Sequence, residues 1–279
     1  MQVANYYNLN GKIFTDNENN ISVNNRSFRY GDGFFETIKL IDNIIQLKQL
    51  HFDRITKSLD VLKFQTPKHF SFDDLEEQII AIAAKNNHCK LGRIRVTFFR
   101  SDGGLYDVIN HQPNILIQSF ALNESVNELN ENGLVIDVYE NAKKSCDTFN
   151  NIKSNNYLQY AMAAIWAKEN KLNDALLLNS NNNIADSTIA NVFIVKDGII
   201  KTPALTEGCV DGVMRKHIII SLQQQNIKVL ETIINTDDLL NADEVFLTNA
   251  IKGISWVKQF REKQYSNFET QKIYKVINT

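Results

Sequence analysis

Asn151–Leu178, NIKSNNYLQYAMAAIWAKENKLNDALLL, is the stretch on which the reading of this chain turns. After Lys153, the apolar residues Leu158, Ala161, Met162, Ile165 and Trp166 recur at helical spacing, so that stripe is expected to be buried. The Asn155-Asn156 pair offers an N-cap, which leaves Lys153 just outside the helix on a fixed loop. DALLLN then closes the stretch as an apolar strand. A lysine held at such a junction can be desolvated, and a desolvated lysine loses its proton and becomes a nucleophile towards carbonyls. Taken alone, Lys153 is also just one of 30 Lys and Arg residues. Its company along the chain decides between the two readings.

Outward from this stretch, strand and helix signals alternate in both directions. Towards the amino terminus, residues 3–23 fit a short hairpin, and Gly31-Asp32-Gly33 turns into an alternating strand that Asp42-Asn43 turns back. Leu50–Phe64 reads as an amphipathic helix with Phe52, Ile55, Leu59 and Leu62 on its stripe, and with His51 and Arg54 off it. A second helix over roughly 72–87 opens on Ser71, with Asp73, Asp74 and Glu76 in its first turn. RIRVTFF (93–99) and NILIQSF (114–120) are strands joined by a long glycine-containing loop, a kind of loop that often carries function. Towards the carboxyl terminus, LVIDVYE is a strand, Ser180–Asn183 a turn, and NVFIVKDGII a hairpin turning at Asp197-Gly198. The polar stretch Ala121–Gly133 marks a domain boundary. The expected architecture is α+β in two domains: residues 1–121, and residues 122–279 carrying Lys153.

Composition narrows the function. A chain of 279 residues with 43% hydrophobic and 22% charged residues is an ordinary globular protein. The net charge of -2 and the lack of a basic, aromatic-interleaved patch argue against nucleic acid. Cys89, Cys146 and Cys209 are widely spaced and odd in number, which suggests neither a disulfide framework nor a metal site. The amino terminus has no signal-peptide pattern and no apolar run reaches membrane-spanning length, so a cytoplasmic protein without membrane partners is expected.

Four features carry the chemistry. Lys153 is the first. The second is Asp186 in the polar run IADSTIAN, expected to lie against the sheet between two strands. The third is the helix entry Gly212-Val213-Met214-Arg215, whose backbone N–H groups and positive helix end can hold a phosphate. The fourth is Arg54, a possible second phosphate ligand. Each has a plainer reading on its own: Asp186 as a turn residue, Gly212 as a helix-start glycine, Arg54 as a surface cation.

In their order and spacing, RSFRYGDGFFET, HFDRITKSL, KSNNYL, ADSTIANVF, TPALTEGCVDGVMR and FLTNAIKGI resemble the class IV (fold type IV) pyridoxal-phosphate enzymes. That family holds branched-chain and D-amino-acid aminotransferases and aminodeoxychorismate lyases, and the likeness runs from Arg26 to about Val257. The resemblance implies pyridoxal 5'-phosphate (PLP) as cofactor, with Lys153 holding its aldehyde and moving the Cα proton. It implies Arg54, Gly212, Val213, Met214 and Asn249 as phosphate contacts and Tyr157 as a further cofactor contact. Asp186 falls where the family places a glutamate on the pyridine nitrogen. Phe28, Tyr30, Phe35 and Tyr106 fall where the family lines its substrate pocket. The family's site lies between two domains and is completed by a second subunit, which implies a homodimer.

The expected function is transfer of an amino group between an amino acid and a 2-oxo acid. KSNN, GVMR and TNAIKGI look closer to the D-amino-acid aminotransferase and lyase branch, whereas Glu36-Thr37 resembles the aminotransferases. Leu105 stands where some lyases carry an arginine. The alternatives are 4-amino-4-deoxychorismate lyase, releasing pyruvate and 4-aminobenzoate, and a PLP-binding protein whose catalysis is lost or altered through Asp186.

Overall fold

The computed structural model describes residues 6–67 and 70–278. The chain divides into two compact units, Met1–Glu124 with Ile152–Asn156, and Ser125–Asn151 with Tyr157–Thr279. The short Lys153 segment therefore clusters with the first unit although it follows the first strand of the second. Both units combine helices with a sheet, an α+β architecture. Among the described residues no helix is long and apolar enough to cross a membrane.

The first unit runs β1 (Tyr6–Leu9), β2 (Lys12–Thr15), α1 (Arg26–Tyr30), β3 (Gly33–Ile41), β4 (Ile44–Ile45), α2 (Lys48–Val61), α3 (Phe72–Lys85), β5 (Leu91–Phe99) and β6 (Asn114–Ala121). Its sheet has the order β2-β1-β6-β5-β3-β4 with every pair antiparallel. Strict alternation on β3 and β5 sends Phe34, Ile38, Leu40, Ile94, Val96 and Phe98 to one face, where they pack against Ile55 and Leu59 of α2 and Leu75, Ile79 and Ile82 of α3. Ser71 caps α3 through its hydroxyl, which accepts from the Asp74 N–H at 3.0 Å, as the sequence suggests.

The second unit runs β7 (Leu134–Lys144), α4 (Leu158–Glu169), β8 (Asp174–Asn179), β9 (Ile184–Ser187), β10 (Asn191–Lys196), β11 (Ile199–Pro203), α5 (Val213–Gln224), β12 (Val229–Thr232), α6 (Thr236–Asn241), β13 (Glu244–Asn249), β14 (Gly253–Phe260), β15 (Lys263–Gln264) and α7 (Phe268–Ile277). Its mixed sheet has the order β12-β11-β10-β13-β14-β7-β8-β9, with β15 on β14. The β10–β11 hairpin turns at Asp197 and Gly198, both at positive φ, as Asp-Gly turns favour.

Helix α4 corrects the sequence reading in two respects. Its N-cap is Tyr157 and not the Asn155-Asn156 pair. Asn155 instead donates its Nδ2 to Ser27 Oγ at 2.8 Å. Its buried residues are Tyr160, Ala163 and Ala167, packed on Tyr139, Ala175 and Leu177, while Leu158, Met162 and Ile165 of the expected stripe are exposed. The helix has two apolar faces, and the one with alanines lets its backbone approach β7 and β8 closely. Periodicity locates such faces without saying which one the sheet covers.

Candidate functional site

In the first unit, Lys153 is sewn to the start of β3. The Phe35 N–H donates to the Lys153 carbonyl and the Asn155 N–H to the Gly33 carbonyl, both at 2.9 Å, with Phe34 and Ser154 forming a bridge. Gly33 permits this approach, because a Cβ there would lie 2.3 Å from Phe98 O and 2.6 Å from Asn155 Nδ2. The Lys153 Nζ sits 4.9 Å from the centroid of the Phe35 ring, and the Arg95 guanidinium carbon lies 3.6 Å from the same centroid. Alternation puts Phe35, Thr37 and Lys39 on one face of β3, and register pairs Thr37 with Arg95 and Lys39 with Arg93. This face gathers positive charge. Partial burial lowers the proton affinity of Lys39 and Arg93, so neither is a merely solvated surface cation.

Arg54 is not the off-stripe surface residue that the helix pattern suggests, nor is His51. His51 is inaccessible and the Arg54 side chain is only 9% exposed, because both face Glu36. Arg54 donates from Nε to Glu36 Oε1 and from Nη2 to Oε2, each at 2.6 Å, and His51 Nδ1 lies 2.7 Å from Oε2. Burial pushes the Glu36 carboxyl up, but the Arg54 charge and the His51 contact outweigh it and hold it down at about 2. The two-point contact fixes the plane of the guanidinium.

The four expected pocket residues do not behave alike. Phe35 is buried and Tyr30 is half-buried, with the Arg26 and Arg29 guanidinium carbons 5.5 and 5.1 Å from its ring centroid. Phe28 and Tyr106 are largely exposed, at 82% and 100%. Helix α1 buries Arg26 and turns Phe28 outward, and Tyr106 sits in the loop between β5 and β6.

In the second unit, Asp186 is part of a strand, β9, opposite Leu177, and is not a turn residue. Its carboxylate is 2% exposed. Oδ2 accepts from Lys144 Nζ at 2.9 Å, from the Tyr160 hydroxyl at 3.0 Å and from the Val210 N–H at 3.0 Å. Lys144 also donates to the Tyr160 oxygen. Oδ1 is equally buried and has no hydrogen-bond partner among the described residues. Such a group is costly to leave unpaired and is an acceptor in want of an N–H or O–H. Burial, followed by the Asp186 charge, pushes the Tyr160 phenol well above its ordinary range, and burial pushes the Cys209 thiol up to about 12, so both stay neutral beside the carboxylate. The residues after Asp186 are fixed by Asp174, which accepts from Ser187 Oγ at 2.8 Å and Thr188 Oγ1 at 2.6 Å. Tyr157 donates its hydroxyl to the Thr188 carbonyl at 2.7 Å and stacks on Tyr160.

Helix α5 begins at Val213 and Met214, with Gly212 as an N-cap that offers no side chain, so the first backbone N–H groups have no side-chain cap. A Cβ at Gly212 would lie 1.8 Å from Asn191 Oδ1. Asn191 pairs in register with Thr248 of β13 and donates to Val210 O at 2.8 Å. The Thr248 hydroxyl is buried without a partner among the described residues. Asn249, next to it, closes the following turn by accepting from the N–H groups of Ile251 at 3.0 Å and Lys252 at 2.9 Å. The helix start supplies donors for an oxyanion, and Asp186 supplies an acceptor for a protonated nitrogen.

Lys144, Tyr160 and Thr248 escape a reading of the sequence, as does the pairing of Glu36 with Arg54 and His51. Lys144 is hidden because β7 slips register between Tyr139 and Lys143, which breaks the alternation that would have marked it as inward. Glu36 does alternate onto the core face of β3, and an acidic residue there is the signal that a buried cation faces it.

The family model for amino-transferase class IV matches residues 33–260. An aminodeoxychorismate lyase of Vibrio harveyi is 29% identical over 240 residues, 85% of this chain and 86% of that protein. The branched-chain-amino-acid aminotransferase of Escherichia coli K12 is 25% identical over 264 residues, 91% and 84% of the two chains. A crystal structure of the E. coli branched-chain enzyme superposes with a TM-score of 0.85 at 25% identity, covering 97% of this chain and 92% of that one. The six motifs, the two-unit α+β fold and the matched span of 228 residues lead to one assignment: this chain belongs to the class IV aminotransferases.

Proposed function

We propose that the chain is a PLP-dependent aminotransferase that moves an amino group between an amino acid and a 2-oxo acid. The observation that carries this reading is Asp186 Oδ1, buried and without a partner among the described residues, on a strand held by Lys144, Tyr160 and Val210. An acceptor of that kind fits the protonated ring nitrogen of PLP. The uncapped start of α5 at Gly212, Val213 and Met214, the unpartnered Thr248 hydroxyl and the Asn249 turn fit its phosphate. Arg54, fixed by Glu36, is the further cation assigned to that phosphate.

When bound, PLP supplies the electron sink that lets an amino acid lose its Cα proton. Asp186 would hold a proton at the ring nitrogen through Oδ1. Tyr157, tied to Thr188, would be a further contact for the cofactor. Lys153 would hold the cofactor aldehyde, and its Nζ is the group that would carry the proton to and from Cα. Arg95, stacked over Phe35 beside Lys153, is suited to a substrate carboxylate, with Tyr30 and Phe35 as apolar walls.

A homodimer fits the exposed apolar groups, with Phe28 and Tyr106 offered to the site of a second copy and Leu158, Met162 and Ile165 presenting one apolar stripe. Light scattering should give twice the chain mass, and Ile165→Glu should shift it to the monomer. The second reading, 4-amino-4-deoxychorismate lyase, is favoured by the 29% identity to the V. harveyi enzyme.

The test is an absorption titration of the PLP-loaded protein. A single amino acid is expected to convert the lysine-bound band to the pyridoxamine form, and a 2-oxo acid to restore it. A band that ignores L- and D-amino acids while the protein releases pyruvate from aminodeoxychorismate replaces this reading with the lyase. Absence of any lysine-bound band overturns both.

A further inference from the structure

Asp186 is held unlike a free carboxylate. Its Oδ2 takes three donors, Lys144 at the end of β7, Tyr160 of α4 and the Val210 N–H in the loop before α5, while Oδ1 takes none among the described residues. The Lys144 side chain is 2% exposed and its ammonium is paired with this carboxylate across 2.9 Å. A buried ammonium is expensive to desolvate and needs a fixed anion beside it. Tyr160 and Cys209 are the neighbours that feel the Asp186 charge; Tyr157 also acts on Tyr160, and Lys144, Asp211 and Arg215 also act on Cys209. The Tyr160 phenol and Cys209 thiol are neutral, and Arg215 is committed to Pro203 O at 2.9 Å and Glu231 at 2.5 Å. Lys144 is the cation in hydrogen-bond contact with Asp186.

Resting on the PLP reading above, we propose that Lys144 is a positioning residue for the ring-nitrogen contact: it turns Asp186 so that Oδ1 is the acceptor offered to the cofactor, and its charge weakens the hold of that carboxylate on the ring-nitrogen proton. The physical argument is one of net charge. An aspartate by itself gains a full ion pair when the ring nitrogen is protonated. An aspartate already neutralised by Lys144 gains less, because the added proton leaves the buried cluster with a net positive charge. A fixed unit charge on the far oxygen of the same carboxylate shifts that equilibrium by about two pH units, ~100-fold, at an effective dielectric constant near 20. Lys144 thereby sets the strength of the electron sink, a role distinct from touching substrate.

The test reads the cofactor itself. Wild-type protein and Lys144→Met are loaded with PLP labelled with 15N at the ring nitrogen, and the nitrogen chemical shift is titrated with pH. Lys144→Met is expected to raise the protonation midpoint by about two pH units. Lys144→Arg, which keeps the charge, should stay near wild type, and Tyr160→Phe, which removes a donor without a charge, should move the midpoint little. An unchanged midpoint in folded, PLP-loaded Lys144→Met overturns the inference. If Lys144→Met does not fold, the wild-type titration decides: a ring nitrogen still protonated at the highest pH the fold tolerates overturns the inference, and a midpoint within the accessible range supports it. Failure of the wild type to bind PLP through Lys153 is a different result, and it removes the PLP reading itself.

Discussion

Replacing Glu36 by glutamine removes one charge from the interior of the first unit while keeping size and shape. The wild-type carboxylate has no exposure and takes two hydrogen bonds of 2.6 Å from Arg54 and a 2.7 Å contact from His51. Burial raises its proton affinity, but the Arg54 charge and His51 bring it from an ordinary 4.5 down to about 2. A group whose folded value lies below its unfolded value stabilises the fold above the unfolded value, and that contribution is lost as pH falls towards the folded one. The depression is worth about 3 kcal/mol at neutral pH, and it matches the cost of leaving a buried arginine without its anion. Urea unfolding at pH 7 should therefore find Glu36→Gln less stable by about 3 kcal/mol with an unchanged m-value. At pH 3.5 the gap should have narrowed by about 1.4 kcal/mol, since the wild type alone loses the contribution. Equal stabilities at pH 7, or a gap that ignores pH between 7 and 3.5, would refute the argument that Arg54 and His51 are held through the Glu36 charge.

Three further outcomes are expected. Borohydride reduction of the PLP-loaded wild type should leave a pyridoxyl group on the peptide containing Lys153; Lys153→Ala should fold, as judged by circular dichroism, and take no such label. Gly212→Ala should lose about 1–3 kcal/mol of stability and at least about tenfold in PLP affinity by fluorescence titration, because its Cβ would lie 1.8 Å from Asn191 Oδ1 and shift the start of α5. In thiol labelling without denaturant, exposed Cys146 should react at once, whereas Cys209, buried and pushed up to about 12, should react only when the chain unfolds.

Much of the fold is legible in local chemistry. The Ser71 cap, the Asp197-Gly198 turn and the alternation on β3 and β5 each depend on residues within a few positions, and each stands where the pattern puts it. What periodicity does not carry is the identity of the partner. Helix α4 has two apolar faces, and the sheet takes the one bearing Ala163 and Ala167. His51 and Arg54 look like surface polars on α2, and they are interior because Glu36, fifteen and eighteen positions earlier, supplies their counter-charge from β3.

Asp186 sharpens the same point. As a sequence feature it is a carboxylate one methylene shorter than the family's glutamate, and that alone suggests a weaker or lost contact with the cofactor. In the fold, Lys144 and Tyr160 come to it from two elements and Val210 from the loop before α5, and all engage Oδ2, leaving Oδ1 unsatisfied among the described residues. The shorter side chain thus comes with a cation that sets its orientation and shares its charge. Neither change is interpretable without the other: Asp186 unpaired would be a free buried anion, and Lys144 unpaired would be a buried cation with nothing to hold it. The two residues stand 42 positions apart, on strands that flank β8, so their coupling belongs to the topology of the sheet and not to any motif.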